Sequence, residues 1–483
     1  MVFTLGCTDL DTILYDKVTE ADYVVDPVLQ MSTTYRPMKD HLDNGGWWFC
    51  QEITGDGIAI PIRGEHWNDQ GKWIALHKHD WNPETEAVQA MWGRFFEGVV
   101  DANRFIELQS VNAGNDVVDQ ALAKAKILRA YYYYLLIDNY GDVPYVTKFS
   151  GAEEKPFVTP RAEIFDSIVK HIEENLPLID PAGRSKTAIT LPAAHALLAK
   201  LYLNAEIYTG TPQWAKAEEH IDAVLSMGYT LESNALAPFV TANENSSENI
   251  WVIPYEEINY TGFNLHMRTL HYLNNRTFDM TVGPWNGIAA LEAQFNLYAE
   301  NDQRRSGFLY GQQYSFDGKP LVTSYVDDTG KLIPVNLTPN IPALVMTPGS
   351  LPPAQIELAG VRVVKFEVKK GARDNLSNDF PIFRLADFLL MKAEVMIRQG
   401  RNGDEYVNMI RNRAGLGNWS NVTLDMLLEE RAREMFFEGH RRQDLIRFGK
   451  FGQSWWGKDP SDASRRTFPI PQWVRESNPN LDI

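Results

Sequence analysis

The chain has 483 residues, 44% hydrophobic and 23% charged, with 13 Trp, 20 Tyr and 23 Phe; so many aromatic side chains exclude a disordered polymer and leave ample material for a large core. Its 46 basic residues against 63 acidic give a formal charge of −17, which argues against a nucleic-acid partner, because phosphate binding needs a basic surface. Two cysteines, Cys7 and Cys50, provide neither a disulfide framework nor a metal-ligand spacing, and no run of 18 apolar residues offers a membrane-spanning helix.

By the loose rule of about 100 to 200 residues per domain, this length suggests roughly two to four units. The opening run, Met1 to Asp11, is too short for a signal peptide and reads as the remnant of one. Within it Leu5-Gly6-Cys7 resembles the end of a bacterial lipobox, although Thr4 stands where a bulky residue is usual. Lipid attachment at Cys7 is the expectation for the precursor. Residues 1–44 then read as a lipoprotein N-terminus with the first helices.

Residues 45–91 form a loop-rich segment of unusual composition, since six tryptophans, Trp47, Trp48, Trp67, Trp73, Trp81 and Trp92, fall within 46 residues there and at its edge. Flat indole faces stack on the C–H faces of sugar rings while nearby polar groups bond the hydroxyls, so Trp beside Asp, Asn and Arg suits carbohydrate. Any single Trp is as readily a core cover beneath a loop. Trp47 and Trp48 are adjacent and Trp92 opens a helix, which assigns those three to packing. Trp67 and Trp73, in Gly64-Glu65-His66-Trp67-Asn68-Asp69-Gln70-Gly71-Lys72-Trp73, are the surface candidates. His77-Lys78-His79-Asp80 could ligate a metal only from a strand or loop, and no third ligand is marked by spacing. No metal and no cofactor are expected.

From 92 to 228 the pattern is helical. Ala121, Ala125, Leu128, Tyr132 and Leu135 step by 4, 3, 4 and 3 along one face, and Asn139-Tyr140-Gly141-Asp142-Val143-Pro144 stops the helix. Ala193, Ala196, Ala199 and Tyr202 mark a second helix, and Trp214-Ala215-Lys216-Ala217-Glu218 opens a third. The pattern returns in residues 380–483. Both stretches resemble tetratricopeptide units, in which stacked helix pairs bury one core, with unrelated helical hairpins as the alternative. Between them, residues 229–379 read as an irregular insertion rich in Gly, Pro and Asn, with short β-rich runs such as Gly360 to Val368. The fold class is therefore mostly α, helix-turn-helix repeats forming an α-α superhelix with a loop-rich lobe containing short strands. Loops on such a rigid frame are where binding residues usually lie. In the insertion, Tyr260 is a candidate contact, since a loop Tyr packs its ring and exposes its hydroxyl.

Near the end, Leu428 to Phe451 reads LEERAREMFFEGHRRQDLIRFGKF. Glu430, Glu434 and Glu438 at i, i+4 and i+8 stack three carboxylates on one helical face, a repulsive column that nearby arginines must offset. Arg433, Arg441, Arg442, Arg431 and Arg447 are the local candidates, and Gly439 breaks the helix. Carboxylates among arginines are ordinarily ionised and structural, so this is scaffold in preference to an acid/base pair.

That run, with Phe468-Pro469-Ile470-Pro471 after it, closely resembles the C-terminal signature of the SusD/RagB family through Glu430, Arg431, Glu434, Phe437, Glu438, Gly439, Arg441 or Arg442, Asp444, Leu445 and Arg447. The resemblance implies a cell-surface, lipid-anchored protein of the outer membrane that performs no chemistry. Such a protein captures oligo- or polysaccharide on an aromatic platform and delivers it to a SusC-like TonB-dependent barrel transporter. It also implies site residues. Asp56, Arg63 and Trp67 match a family stretch that contributes to the glycan platform, with Gly57 replacing its usual acidic residue, and Gly283-Pro284-Trp285-Asn286-Gly287 matches a segment whose aromatic faces the ligand, giving Trp285 with Asn286 as its hydrogen-bonding partner. A peptide-capturing member of the same family is the first alternative. A glycan-active enzyme is the second: no Gly-x-Ser-x-Gly, Walker A or His-Glu-x-x-His motif occurs, yet a glycosidase's two carboxylates need no sequence spacing.

Overall fold

The computed structural model describes residues 26–151 and 153–481, so Cys7, the expected lipid-bearing residue, lies outside the described residues. Helices α1 (Pro27–Tyr35), α2 (Trp47–Ile53) and α3 (Lys72–Lys78) precede two long ones, α4 (Glu86–Ser110) and α5 (Asp116–Tyr140). After these come α6 (Arg161–Asn175), α7 (Leu191–Leu203), α8 (Ala205–Thr209) and α9 (Trp214–Leu225). Three short helices, α10 (Leu265–Thr269), α11 (Glu292–Asn296) and α12 (Pro353–Leu358), lie in the irregular lobe. The chain closes with α13 (Leu385–Arg398), α14 (Asp404–Arg413), α15 (Leu424–Glu434), α16 (Arg441–Arg447) and α17 (Gln472–Ser477).

Local chemistry sets the helix ends. Asn115 caps α5 by accepting from the N–H groups of Val117 and Val118, and Asp116 and Asp119 complement the positive end of the helix dipole. Thr190 and Pro192 open α7, and Thr423 caps α15. Successive helices then pack on one another: α4 on α5, α5 on α6, α7 on α9, α9 on α13, and α13 on α14 and α15. Buried Ala193, Ala196 and Ala199 line the face α7 presents to its neighbours. This is a mostly α frame of tetratricopeptide-like pairs, each burying the apolar face of the last.

Strands serve as stitches. Every sheet among the described residues has two strands. The longest pair joins Asn249–Ile253 to Phe380–Arg384, tying both ends of the irregular lobe to the frame. Ile58–Ala59 pairs antiparallel with Ala289–Ala290, and Ile62–Arg63 runs parallel to Val345–Met346, so the tryptophan-rich segment is sewn to the lobe. In the expected β-run 360–368 only Arg362–Val363 forms a strand. Lys365 interrupts it, its buried ammonium donating to the carbonyls of Glu434 and Phe436 and to the Glu438 carboxylate.

The carboxylate column is corrected in one respect. Helix α15 stops at Glu434; Phe437 and Gly439 take φ of 69° and 80°, and the Trp47 ring lies 2.5 Å from where a Cβ on Gly439 would stand. Glu438 is therefore off the helix. All three carboxylates are buried and still converge, because cations arrive from distant segments. Arg384 donates to Glu438, Glu434 and Glu248, Arg304 to Asp302, Glu430 and Glu434, and Arg413 to Glu248 and Glu434. Of the local arginines only Arg433 meets the column, at Glu430. Arg431 pairs with Asp387 and Asp444, and Arg447 with Glu394 and Asp444. Burial would raise the Asp444 carboxyl, but Arg431 and Arg447 outweigh it and hold it down at about 2. Glu434 is held well below the usual carboxylate range by Arg413, Arg384 and Arg304, again against burial.

Candidate functional site

The loop from Gly64 to Gly71 concentrates backbone strain. Trp67, Asp69 and Gln70 have φ of 64°, 36° and 56°, between Gly64 and Gly71 at 65° and 80°. Non-glycine residues in this region cost about 1–3 kcal/mol each and persist only where surrounding contacts over-determine them. The contacts are present. Trp67 Nε1 donates to the Trp285 carbonyl oxygen at 2.7 Å, its ring lies 2.3 Å from where a Cβ on Gly287 would sit, and Trp73 Nε1 donates to Asp69 Oδ2 at 2.5 Å.

Across from this loop, Asn286 has a φ of 54° and is buried. Its Oδ1 accepts from Arg362 Nε and Nη2 at 3.0 and 2.6 Å while its Nδ2 donates to the Glu357 carbonyl at 3.0 Å. The turn so fixed presents Trp285, which is 39% exposed. Behind the indole lies the Arg268 guanidinium, 5.4 Å from the ring centroid and 4.9 Å from that of Phe49. Arg268 also donates to Asn264 and Asn44, forms no ion pair among the described residues, and burial lowers its pKa to about 10.

Trp67, Trp285, Tyr272 and Pro284 wall a shallow cavity of about 400 Å³, into which Asn44, His66, Asp69 and Arg268 bring polar groups. His66 Nδ1 and the Tyr272 hydroxyl hydrogen-bond each other at its edge. Two indoles and a phenol around four hydrogen-bonding side chains make a surface that can stack flat, hydroxyl-rich ligands.

Of the residues singled out in the sequence, the structure brings Trp67 and Trp285 together here and sets the others elsewhere. Trp73 is corrected to core: it is 1% exposed, inside α3, with its ring 5.1 Å from Phe49 and 6.3 Å from Trp67, so it supports the platform from below. Asn286 is corrected likewise, since its amide is consumed by Arg362 and Glu357. Arg63 is buried and spends its terminal nitrogens on the carbonyls of Ile356 and Ala359, at 2.6 and 2.8 Å, with burial pushing its pKa down to about 10. Asp56 is held by Arg441 at 2.5 and 2.8 Å, which overrides burial and keeps the carboxyl low. Tyr260 lies in a different groove, with Lys39 Nζ 5.2 Å from its ring centroid.

Trp47, Trp48 and Trp92 are buried. His77 and His79 are buried and bonded to the Trp456 carbonyl, the Thr54 carbonyl and the Ser461 hydroxyl; among the described residues no cluster of three or more His, Cys, Asp or Glu could hold a metal. The sequence reading missed Asn44, His66, Asp69, Arg268 and Tyr272. His66 and Asp69 flank Trp67 and could have been taken with it, whereas Arg268 and Tyr272 carry no local mark.

Comparison with known proteins agrees with this architecture. Residues 352–464 match the model of the SusD family, and residues 59–203 match a SusD-like model described as "Starch-binding associating with outer membrane". The starch-binding protein SusD of Bacteroides thetaiotaomicron is 26% identical over 449 residues, covering 83% of this chain and 76% of that protein. A SusD-like protein of Formosa agariphila is 23% identical, covering 84% and 81%. Among solved structures, surface glycan-binding protein A from Bacteroides thetaiotaomicron in complex with laminarihexaose superposes with a TM-score of 0.74 at 20% identity, covering 95% of this chain and 98% of that one. A SusD superfamily protein from Parabacteroides distasonis gives 0.76 at 18%, covering 96% and 99%; at such identity the likeness establishes the shared fold. With the C-terminal run and the helical frame that carries it, these matches make the chain a member of the SusD/RagB-like family.

Proposed function

We propose that the protein is a cell-surface glycan-binding protein that captures oligo- or polysaccharide on the platform formed by Trp67, Trp285 and Tyr272. It performs no chemistry on the ligand and passes it to an outer-membrane SusC-like TonB-dependent transporter, while a lipid on Cys7 anchors it to that membrane. The observation that carries the reading is the strained loop pair. Two segments 218 residues apart are locked together by the Trp67–Trp285 hydrogen bond, leaving aromatic faces and polar side chains around one open cavity. The names of the SusD relative and of the laminarihexaose complex support the ligand class, and the description of the matched family model supports the membrane. Stacking a few sugars binds weakly, so closing over a transporter would raise the effective affinity.

Native affinity gels cast with a panel of polysaccharides test this. At least one polysaccharide should retard the protein, and Trp67→Ala and Trp285→Ala should each abolish the retardation. No retardation across a broad panel would sink the proposal, and retention by peptides alone would favour the peptide-capturing alternative. Release of reducing sugar during incubation would favour the enzyme.

A further inference from the structure

The guanidiniums around the platform lack the carboxylate partners that buried arginines have elsewhere in this chain. Arg268 lines the cavity although it is only 6% exposed. Its Nε donates to Asn264 and its Nη1 to Asn44, so two of the five N–H groups of a guanidinium are used and three remain. Nη2 has no partner among the described residues and is not sealed from solvent. Two further guanidiniums lie behind the same walls. Arg63 and Arg362 bond to the carbonyls of Ile356, Glu357, Ala359 and Gly360 and to Asn286 Oδ1, and neither has an ion pair among the described residues. Carbonyl dipoles solvate these charges without cancelling them, and arginine stays protonated. In the C-terminal network, by contrast, Arg304, Arg384, Arg413, Arg431 and Arg447 each meet a carboxylate.

The carboxylates that face this cluster are placed to oppose it only weakly. Asp69 is exposed, where solvent screens it, and its Oδ2 accepts from Trp73 Nε1. Glu357 accepts from the Tyr325 hydroxyl and lies 3.8 Å from His271 Nε2. Asp43 is exposed and 3.6 Å from Arg94. Asp43 and Asp69 both act on Arg268, yet neither forms an ion pair with it, and burial outweighs them. A buried cation without a counter-charge is costly, and an anion reaching its open edge would offset that cost.

We propose that the glycan taken by this platform is acidic, with a carboxylate or sulfate that pairs with Arg268 while the sugar bearing it lies against the aromatic walls. The proposal rests on the glycan reading of the platform and names its ligand class. The formal charge of −17 opposes a dense polyanion at long range, but beyond a Debye length of about 8 Å that repulsion is screened and local groups decide. One open guanidinium suits one anionic residue among neutral ones.

The test uses native affinity gels containing glucuronoxylan, xanthan or gum arabic for carboxylates, and κ-carrageenan or porphyran for sulfates. Each polymer is paired with its carboxyl-reduced or desulfated form, so the backbone is kept and the charge removed. At least one acidic polymer should bind about tenfold more tightly than its neutralised form, and the arm that responds identifies the anion. Arg268→Gln should erase that preference by weakening the acidic form alone, and Arg268→Lys should keep part of it. Equal binding of every matched pair, or retention by neutral polymers only, would overturn the acidic ligand and leave the platform standing. No retention by any polymer, acidic or neutral, would overturn both. A proportional loss on both forms in Arg268→Gln would reduce Arg268 to a support for Trp285 and also overturn the proposal. The matched polymers decide on the unaltered protein, whether or not the variants fold.

Discussion

Replacing Arg384 with Met tests whether the buried charge network holds the last helices on the frame. Arg384 is 1% exposed, and its guanidinium makes bonds of 2.6 to 2.9 Å to Glu438, Glu248 and Glu434, including the Glu434 backbone carbonyl. Methionine fills much of the volume but returns no charge. Glu438 would keep only Lys365, Glu248 would keep Arg413, and Glu434 would keep Arg304 and Arg413. Breaking a buried pair by removing one partner costs about 3–5 kcal/mol; with most of the carboxylates still partnered, the lower end, about 3 kcal/mol, is expected here. Adding Glu438→Gln should then cost less than the sum of the single changes, by about 0.5–3 kcal/mol, because the two groups share bonds. Equilibrium urea unfolding followed by tryptophan fluorescence and circular dichroism measures both quantities. A loss below about 1 kcal/mol for Arg384→Met, or strict additivity with Glu438→Gln, would show that the network carries no such load. Retardation in polysaccharide gels below the melting point should be unchanged.

Trp73→Ala, which empties a core position beneath the platform, should cost about 3–5 kcal/mol in urea unfolding, whereas Trp285→Ala should cost under about 1 kcal/mol because its face is in solvent. Gly287→Ala puts a Cβ against the Trp67 ring, so glycan retardation should weaken several-fold while stability falls by about 1–3 kcal/mol. Unchanged retardation would mean that the pose of Trp67 is irrelevant. For pH, burial pushes His41, His77 and His440 down to about 3, 4 and 4. The unfolded chain takes protons on them near 6.5, so their contribution is present above 6.5 and lost as pH falls through that window. Glu52, pushed up to about 7 by burial, runs the other way, its contribution present below about 4.3 and lost as pH rises through 7. Asp379, pushed up to about 6 by burial, acts with Glu52; with His79, His220 and His266 also pushed down to about 3, 4 and 4, the histidines outweigh these two carboxyls, so the urea midpoint should fall from pH 6.5 to pH 5.0, and Glu52→Gln should flatten any decline between pH 6.5 and 8. A higher midpoint at pH 5.0 would refute the sign.

The helical frame was legible because its causes are local. The stripe through Ala121, Leu128 and Tyr132, the Asn139 to Pro144 stop and the run from Leu428 are each written in neighbouring residues, and α5 ends at Tyr140, within that stop, with Gly141 as its C-cap. The charge network was legible only by half. The carboxylates lie in one run, but their cations come from Arg304, Lys365, Arg384 and Arg413, and no spacing rule joins residue 304 to residue 430.

The site failed to read cleanly for a different reason: polar residue types do two jobs. Arg63 and Asn286 have the hydrogen-bonding groups a sugar hydroxyl needs, and the same groups satisfy buried carbonyls at Ile356, Ala359 and Glu357. Local sequence cannot decide which job is done, because the deciding partner lies about 70 to 300 residues away along the chain. Those internal bonds are nevertheless what positions Trp285, since an unfixed Asn286 would not hold a φ of 54°. The short ladders act on the same scale. Ile58–Ala59 on Ala289–Ala290 brings the 64–71 loop to the 284–287 turn, and Ile62–Arg63 on Val345–Met346 holds the start of that loop on the lobe, so two ladders of paired dipeptides, invisible to any periodicity, help determine that Trp67 and Trp285 share one cavity while Trp73 does not.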